Sequence, residues 1–487
     1  MSAPSRSACG ATEGKIYNVG PTRAILTPKD VPWLKLMPCD QVLIDYRATP
    51  YTDIIFIGSR GEKNKYITIK GLPGPNGERP VFDAAGASSS TTMGMSAIYD
   101  GAGMIVIGKP STTAVPTRVY GYKPGYLHIT GLSIKNARSA YKYTNQSKVT
   151  ANWPNFTAAI YVNPAENLAI TNCELSNSGL GLFVNSLNDE AGQSRKLLIS
   201  GNYFHGNGVS GDASLHNSYT EAIGTIYEYN YFGQPISGTA GDNVKDRSAG
   251  IVFRYNYMEG GTYGLSLRDP QSNGTFEGAA VDSLGDLLTK HAFVYSNIFR
   301  LRGTSFIAVG HGDGVYGDGK QYRHGNLFFY SNKVISEFDY QMYHRDTVPL
   351  FQFLNTRSPA TAVAVNNLFY AKSATVGGTP APFSLIFWMG KANFQSNWIN
   401  NYTNTHTNWG GYTTGVYVGT KYDGSGLYGL TKQSGSPGFT NLSTGDFSSL
   451  AGSAFTTLVG TLPTEVVARK LTPAGTPVQF PPLTIAN

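Results

Sequence analysis

Charge is scarce in this chain: Asp, Glu, Lys and Arg make up 14% of its 487 residues. The positive surplus of +7 is dispersed, with no block of Lys or Arg. A polyanion is an allowed partner, but without a basic cluster nucleic acid is not expected. Long apolar runs are missing too, so no membrane insertion is expected. Cysteine is rare, and three residues do not make a disulfide framework. Cys9 and Cys39 could pair to staple an N-terminal cap, while Cys173, in an apolar strand pattern, reads as a buried thiol. The opening Met1-Ser-Ala-Pro-Ser is not a secretory signal. That leaves a cytoplasmic or phage-borne protein, or a chain whose signal was trimmed; a secreted or cell-surface location is the expectation. Helix-favouring charged stretches are nearly absent, and few two-residue Asn-Gly or Asp-Gly turns join adjacent strands as a hairpin-built sandwich would require.

What is abundant is glycine and aromatic side chain: 57 Gly, 31 Tyr and 24 Phe. β-branched and aromatic residues dominate the regular segments. A short pattern recurs, in which a small or aromatic residue is followed by Asn and then by apolar residues. It places Asn172, Asn202, Asn230, Asn256, Asn297, Asn332, Asn367 and Asn397 at spacings of 30, 28, 26, 41, 35, 35 and 30. An earlier copy has Gly131 in place of Asn. A short apolar or alternating strand precedes each copy, such as NLAIT, KLLIS, AFVYS or LFFYS. The pattern predicts an all-β, single-stranded right-handed parallel β-helix, each coil hydrogen-bonded to the next. Asn can adopt the left-handed turn conformation between strands, and stacked amides can bond along the ladder. One domain, 1–487, is expected: a cap over 1–50, coils over 60–405, and C-terminal loops of 406–487 packed along them. A β-propeller would need a more even period.

Residues at equal offset from the repeat marker should share a column. Following the successive Asn residues come Asn185, His216, Lys245, Arg268, His311, then His344 with Arg345. Polar or basic groups near one line, with Asp242, Asp246, Asp269 and Asp313 as neighbours, point to a binding cleft.

The stretch Asn243-Val244-Lys245-Asp246-Arg247-Ser248, continued by IVFRYNYMEGGTYGLSL and ending at Arg268, resembles the catalytic stretch of the alginate lyase and chondroitinase B family of polysaccharide lyases. The family's fold is a right-handed parallel β-helix, and it sets a Lys base and, one coil later, an Arg on one face. Lys245 and Arg268 are 23 residues apart, one coil without insertions. At the level of fold the likeness runs over about residues 15–400.

The resemblance implies β-elimination on an acidic, uronate-containing polysaccharide. Lys245 would be the base, with Arg268 on the developing charge and His216 as a third catalytic group. Arg247, Tyr219, His311, Asp269, His344 and Arg345 are the candidates for holding substrate, with Tyr219 an alternative acid. A Lys can act as base only if its neutral form is favoured, as neighbouring guanidiniums and burial would do. The family's closely spaced calcium ligands are not evident ahead of the Lys, where only Asp242 is near. Either the metal is absent, or Asp212 and Glu221 help Asp242 to supply a Ca2+ site, or Arg and His replace it. A monomer is expected, or a trimer if the protein is phage-borne. The rival readings are a glycoside hydrolase using two of the carboxylates, a uronate C5-epimerase, and a glycan-binding tail protein or adhesin without catalysis.

Overall fold

The computed structural model describes residues 4–111, 121–187, 189–268, 291–303, 306–309, 326–338, 351–354, 361–371, 375–376, 379–380, 386–389, 391–399, 407–409, 412–414, 430–432, 438–441, 446–453 and 460–473. The chain divides into two compact units, Met1–Gly241 with Gln479–Asn487, and Asp242–Val478.

From Ile67–Leu72 to Ser218–Thr220 each coil of unit 1 gives one strand to each of three parallel sheets. One coil runs through Glu166–Thr171, Glu174–Ser176 and Leu180–Val184 before the next begins at Arg195–Ser200. The first sheet starts at Ile16–Val19 and Gln41–Asp45 and reaches Ile223–Glu228. The second runs from Val81–Asp83 to Tyr231–Phe232, and the third from Ile55–Ile57 to Ser218–Thr220. Unit 2 repeats the plan. Its third sheet opens with Val244–Asp246 and Tyr263–Leu267, paired in parallel. Each unit is thus a parallel β-helix, right-handed as strand twist dictates for parallel crossovers.

Because register is kept coil after coil, like side chains stack in columns. Phe82, Ile134, Leu175, Phe204 and Phe232 form one such column, each with no exposed surface. Fully burying a Phe side chain contributes about 2–3 kcal/mol.

The bend between first and second sheets is one residue in the left-handed region. Gly131, Asn172, Gly201 and Tyr229 hold it in unit 1, and Tyr255, Ser296, Ser331, Asn366 and Ser396 in unit 2. The recurrent Asn is therefore not the turn residue, except at Asn172; it stands one position later and is buried. Asn202 Nδ2 donates to Ile170 O at 2.9 Å, and its backbone N–H donates to Asn230 Oδ1 at 3.0 Å. In unit 2 the same ladder runs Asn256, Asn297, Asn332, Asn367, Asn397. The amide satisfies the backbone groups that the sharp bend leaves without strand partners.

At the coil where Asn172 itself makes the turn, Cys173 fills the ladder slot, and its N–H donates to Asn202 Oδ1 at 2.9 Å. The thiol is fully buried, and burial pushes its pKa up to about 11. It is a weak substitute for an amide. Cys173→Asn is expected to raise stability by about 1 kcal/mol through stronger bonds to the neighbouring coil. Chemical denaturation of the two proteins checks this.

The N-terminal segment plugs the first coils with Val31, Trp33 and Leu36, all buried, and Cys9 and Cys39 form a disulfide. In unit 2 the C-terminal loops lie along the outside of the coils. Phe447 packs near Tyr257 and under the Arg300 guanidinium, and Phe439 lies below Lys333. Tyr330 donates its hydroxyl to Leu471 O at 2.6 Å. Among the described residues no helix is long and apolar enough to cross a membrane.

Candidate functional site

Val244–Asp246 is a short strand in which one apolar residue is followed by a lysine and an aspartate. Val244 faces the core with no exposure, as do Leu265 and Leu267 on the next strand. Side chains alternate along a strand, so Lys245 points away from the core, and its register partner Ser266 does the same. Arg268 lies two residues beyond Ser266 and shares that face, a diagonal neighbour of Lys245 at about 7–8 Å between backbones. Its Nε donates to Ser266 Oγ at 2.6 Å, so the guanidinium folds back toward the residue opposite Lys245. The guanidinium also lies 4.8 Å from the centre of the Tyr263 ring. Arg268 N–H donates to Asp246 O at 2.8 Å, which sets Arg247 beside it on the neighbouring coil.

This outward-facing group is nevertheless sheltered. Lys245 is 8% exposed, Arg268 7%, Arg247 3% and Ser266 not at all. Cations held at low exposure cost desolvation energy, so their grouping calls for anionic partners. Asp246, fully buried on the Val244 side of the strand, accepts the Ser248 N–H on its Oδ1 at 2.9 Å and shapes the turn after the strand. Asp242 is buried just ahead of the strand.

His216 and Tyr219 belong to unit 1. They meet edge to face with ring centres 5.4 Å apart, His216 fully buried. Tyr219 pairs with Phe183 in the third sheet, whereas His216 precedes the strand and its backbone carbonyl accepts the Gly181 N–H. Asp212 lies in a turn, its Oδ1 taking the Ser214 N–H and hydroxyl at 2.8 and 2.6 Å. Glu221 is buried at the end of Ser218–Thr220, and Ser186 bonds to its carbonyl. Among the described residues no three His, Cys, Asp or Glu side chains converge as a metal site. Asp269, His311, Asp313, His344 and Arg345 lie outside the described residues.

Ser266 was not singled out by the sequence reading. The signal was available: it stands two residues before Arg268, so on a strand it must share the arginine's face.

No protein-family model matches the chain, and no curated protein does. Among solved structures it is similar to an alginate lyase from Paenibacillus sp. strain FPU-7, at 12% identity and TM-score 0.39, over 73% of this chain and 91% of that one. It is similar to an alginate lyase of the PL6 family at 14% identity and TM-score 0.43, covering 86% of this chain and 53% of that one. A third is the tailspike of E. coli bacteriophage HK620 in complex with a pentasaccharide, at 11% identity and TM-score 0.35, covering 74% of this chain and 58% of that one. The chain thus spans little more than half the length of the last two.

Proposed function

We propose that the chain is a lyase that cleaves a uronate-containing polysaccharide by β-elimination. The observation that supports this most is the sheltered outward face on which Lys245, Ser266 and Arg268 stand together. The C5 proton of a uronate is weakly acidic, and the adjacent carboxylate must be neutralised before it can leave. Arg268 and Arg247 offer fixed cations for that carboxylate and for the enolate-like charge that follows. Lys245 Nζ takes the proton, the C5–H electrons form the C4–C5 double bond, and the C4–O4 bond breaks. O4 departs with its electron pair and is protonated by the new ammonium or by water. The step requires Lys245 in its neutral form.

No step passes through a metal. Asp246, tied into its own turn, is poorly disposed to serve as one of the two carboxylates of a hydrolase.

The test is a panel of uronate polysaccharides, each digested with and without chelator. New absorbance in the unsaturated-uronate band, appearing together with chain shortening, is the expected result. Shortening without that absorbance would replace elimination by hydrolysis. Binding without any chemistry would make the protein an adhesin, and exchange at C5 without shortening an epimerase.

A further inference from the structure

The corner of unit 1 where the third sheet gives way to the first gathers six charged side chains. Arg60, Gly125, Glu166 and Arg195 are successive register partners at the start of the first sheet. Lys123 stands two residues ahead of Gly125. Lys109 follows the third-sheet strand Gly103–Gly108, and Glu190 lies in the loop between Leu180–Val184 and Arg195–Ser200.

Gly125 makes room for the first of these contacts. A Cβ there would stand 3.1 Å from Arg60 Nη1. With no side chain in the way, the Arg60 guanidinium crosses the Gly125 rung to the Glu166 carboxylate, and Nη1 donates to Lys123 O at 2.9 Å. Arg60 and Glu166 therefore answer each other.

The other cations are not answered so well. Arg195 Nη2 donates to Gln193 Oε1 at 2.8 Å and lies 3.6 Å from Glu190 Oε1. The Glu190 side chain is 84% exposed, and an ion pair in that much water contributes little. Arg195 Nε is buried and has no hydrogen-bond partner among the described residues. Lys123 is 6% exposed, and its ammonium has neither a hydrogen-bond nor an ion-pair partner among the described residues. Leaving such donors unsatisfied is costly, and native proteins seldom do so without a reason. Burial, followed by the Arg195 guanidinium, holds the Lys123 amine below the ordinary lysine range. Lys109 acts in the same direction, and Glu166 and Glu190 oppose it.

Two rungs, about 10 Å, separate the Gly125 strand from the Arg195 strand. Both side chains are long enough to converge on one small ion between them. The carboxylate on the intervening rung, Glu166, is already held by Arg60. Arg60, Lys109, Lys123 and Arg195 face only Glu166 and Glu190, which leaves a surplus of two positive charges when all are ionised. That surplus matches a dianion. The Arg60 and Arg195 side chains are 33% and 21% exposed, so the corner is open to a small ion.

We propose that this corner binds a phosphate-type dianion, either free phosphate or the phosphate group of a small ester, between the Lys123 ammonium and the Arg195 Nε–H. The site is carried by unit 1 alone and does not depend on the elimination reading.

The test is calorimetric titration with inorganic phosphate and with glucose 1-phosphate at fixed ionic strength, using glucuronate as a monoanionic control. Saturable binding is expected for one or both phosphates. Lys123→Met and Arg195→Gln are each expected to weaken it about tenfold. A second readout uses the wild-type protein and covers a variant that does not fold. A neutral amine is the form that reacts with acetic anhydride, and a bound dianion favours the charged form. Phosphate should therefore slow acetylation of Lys123, followed by peptide mass mapping, several-fold while leaving exposed Lys70 unchanged. Tighter binding of glucose 1-phosphate assigns the site to an ester, and tighter inorganic phosphate to the free ion. Unprotected Lys123, or equal phosphate affinity in wild type and folded Lys123→Met, overturns the proposal. Glucuronate binding as tightly as phosphate overturns the assignment to a dianion.

Discussion

Lys245→Ala is expected to lower the rate of unsaturated product formation by about 10^3-fold, with the fold intact. The size follows from the loss of a positioned base, typically worth 10^2- to 10^4-fold. The intact fold follows from the strand's geometry: Val244 holds the core, while Lys245 faces outward. Lys245→Arg is the sharper comparison. It keeps charge and bulk but cannot supply a neutral base, because a guanidinium stays protonated. Both variants should therefore be equally inactive in the absorbance assay. An arginine variant that retained a tenth of the wild-type rate would show that charge, not proton transfer, is what the position provides. The elimination chemistry would then need another base.

Asn332→Ala is expected to cost about 3–5 kcal/mol, the largest stability effect of any single polar substitution proposed for unit 2. Asn332 Oδ1 accepts both the backbone N–H and the side-chain amide of Asn297, each at 3.0 Å. Its Nδ2 donates to Val294 O at 2.9 Å and to Asn367 Oδ1 at 3.1 Å. Truncation leaves these groups buried without their partners, each such loss costing about 1–3 kcal/mol. Asn332→Asp keeps the acceptor and loses the donor, so it should fall between alanine and wild type unless the buried charge dominates. Denaturant titration of the three proteins decides it. A loss under 1 kcal/mol for alanine would mean that water replaces the ladder.

The coils were legible because the same amide is needed at every bend, and a need that repeats leaves a periodic trace. The turn residue itself was placed one position late. Nothing about Tyr229 or Tyr255 announces a left-handed backbone; the ladder bonds of the following Asn impose it. A second corner ladder in unit 1, where Ser178 N–H donates to Asn207 Oδ1 at 3.0 Å, escaped notice because Ala137, Ser178 and Asn207 share no residue type. The separation of Lys245 and Arg268 put them on neighbouring strands, but register pairs Lys245 with Ser266, two residues short of Arg268. The column drawn through Asn185 and His216 was not sound. Paired register sets Phe183 against Tyr219 and so leaves Asn185 and His216 at different levels. Offsets counted from a distant marker accumulate every insertion between, whereas strand pairing resets at each coil.

The distance between ladder asparagines ranges from 26 to 41 residues, yet the paired strands stay in step. Much of the variation sits at one corner, between the third sheet and the next strand of the first. That corner takes ten residues from Val184 to Arg195 and 24 from Leu267 to Ala292. Chain length at this corner is uncoupled from the rungs that hold the molecule together. New sequence can be spliced in there, lengthened or exchanged, while the scaffold beneath keeps its dimensions.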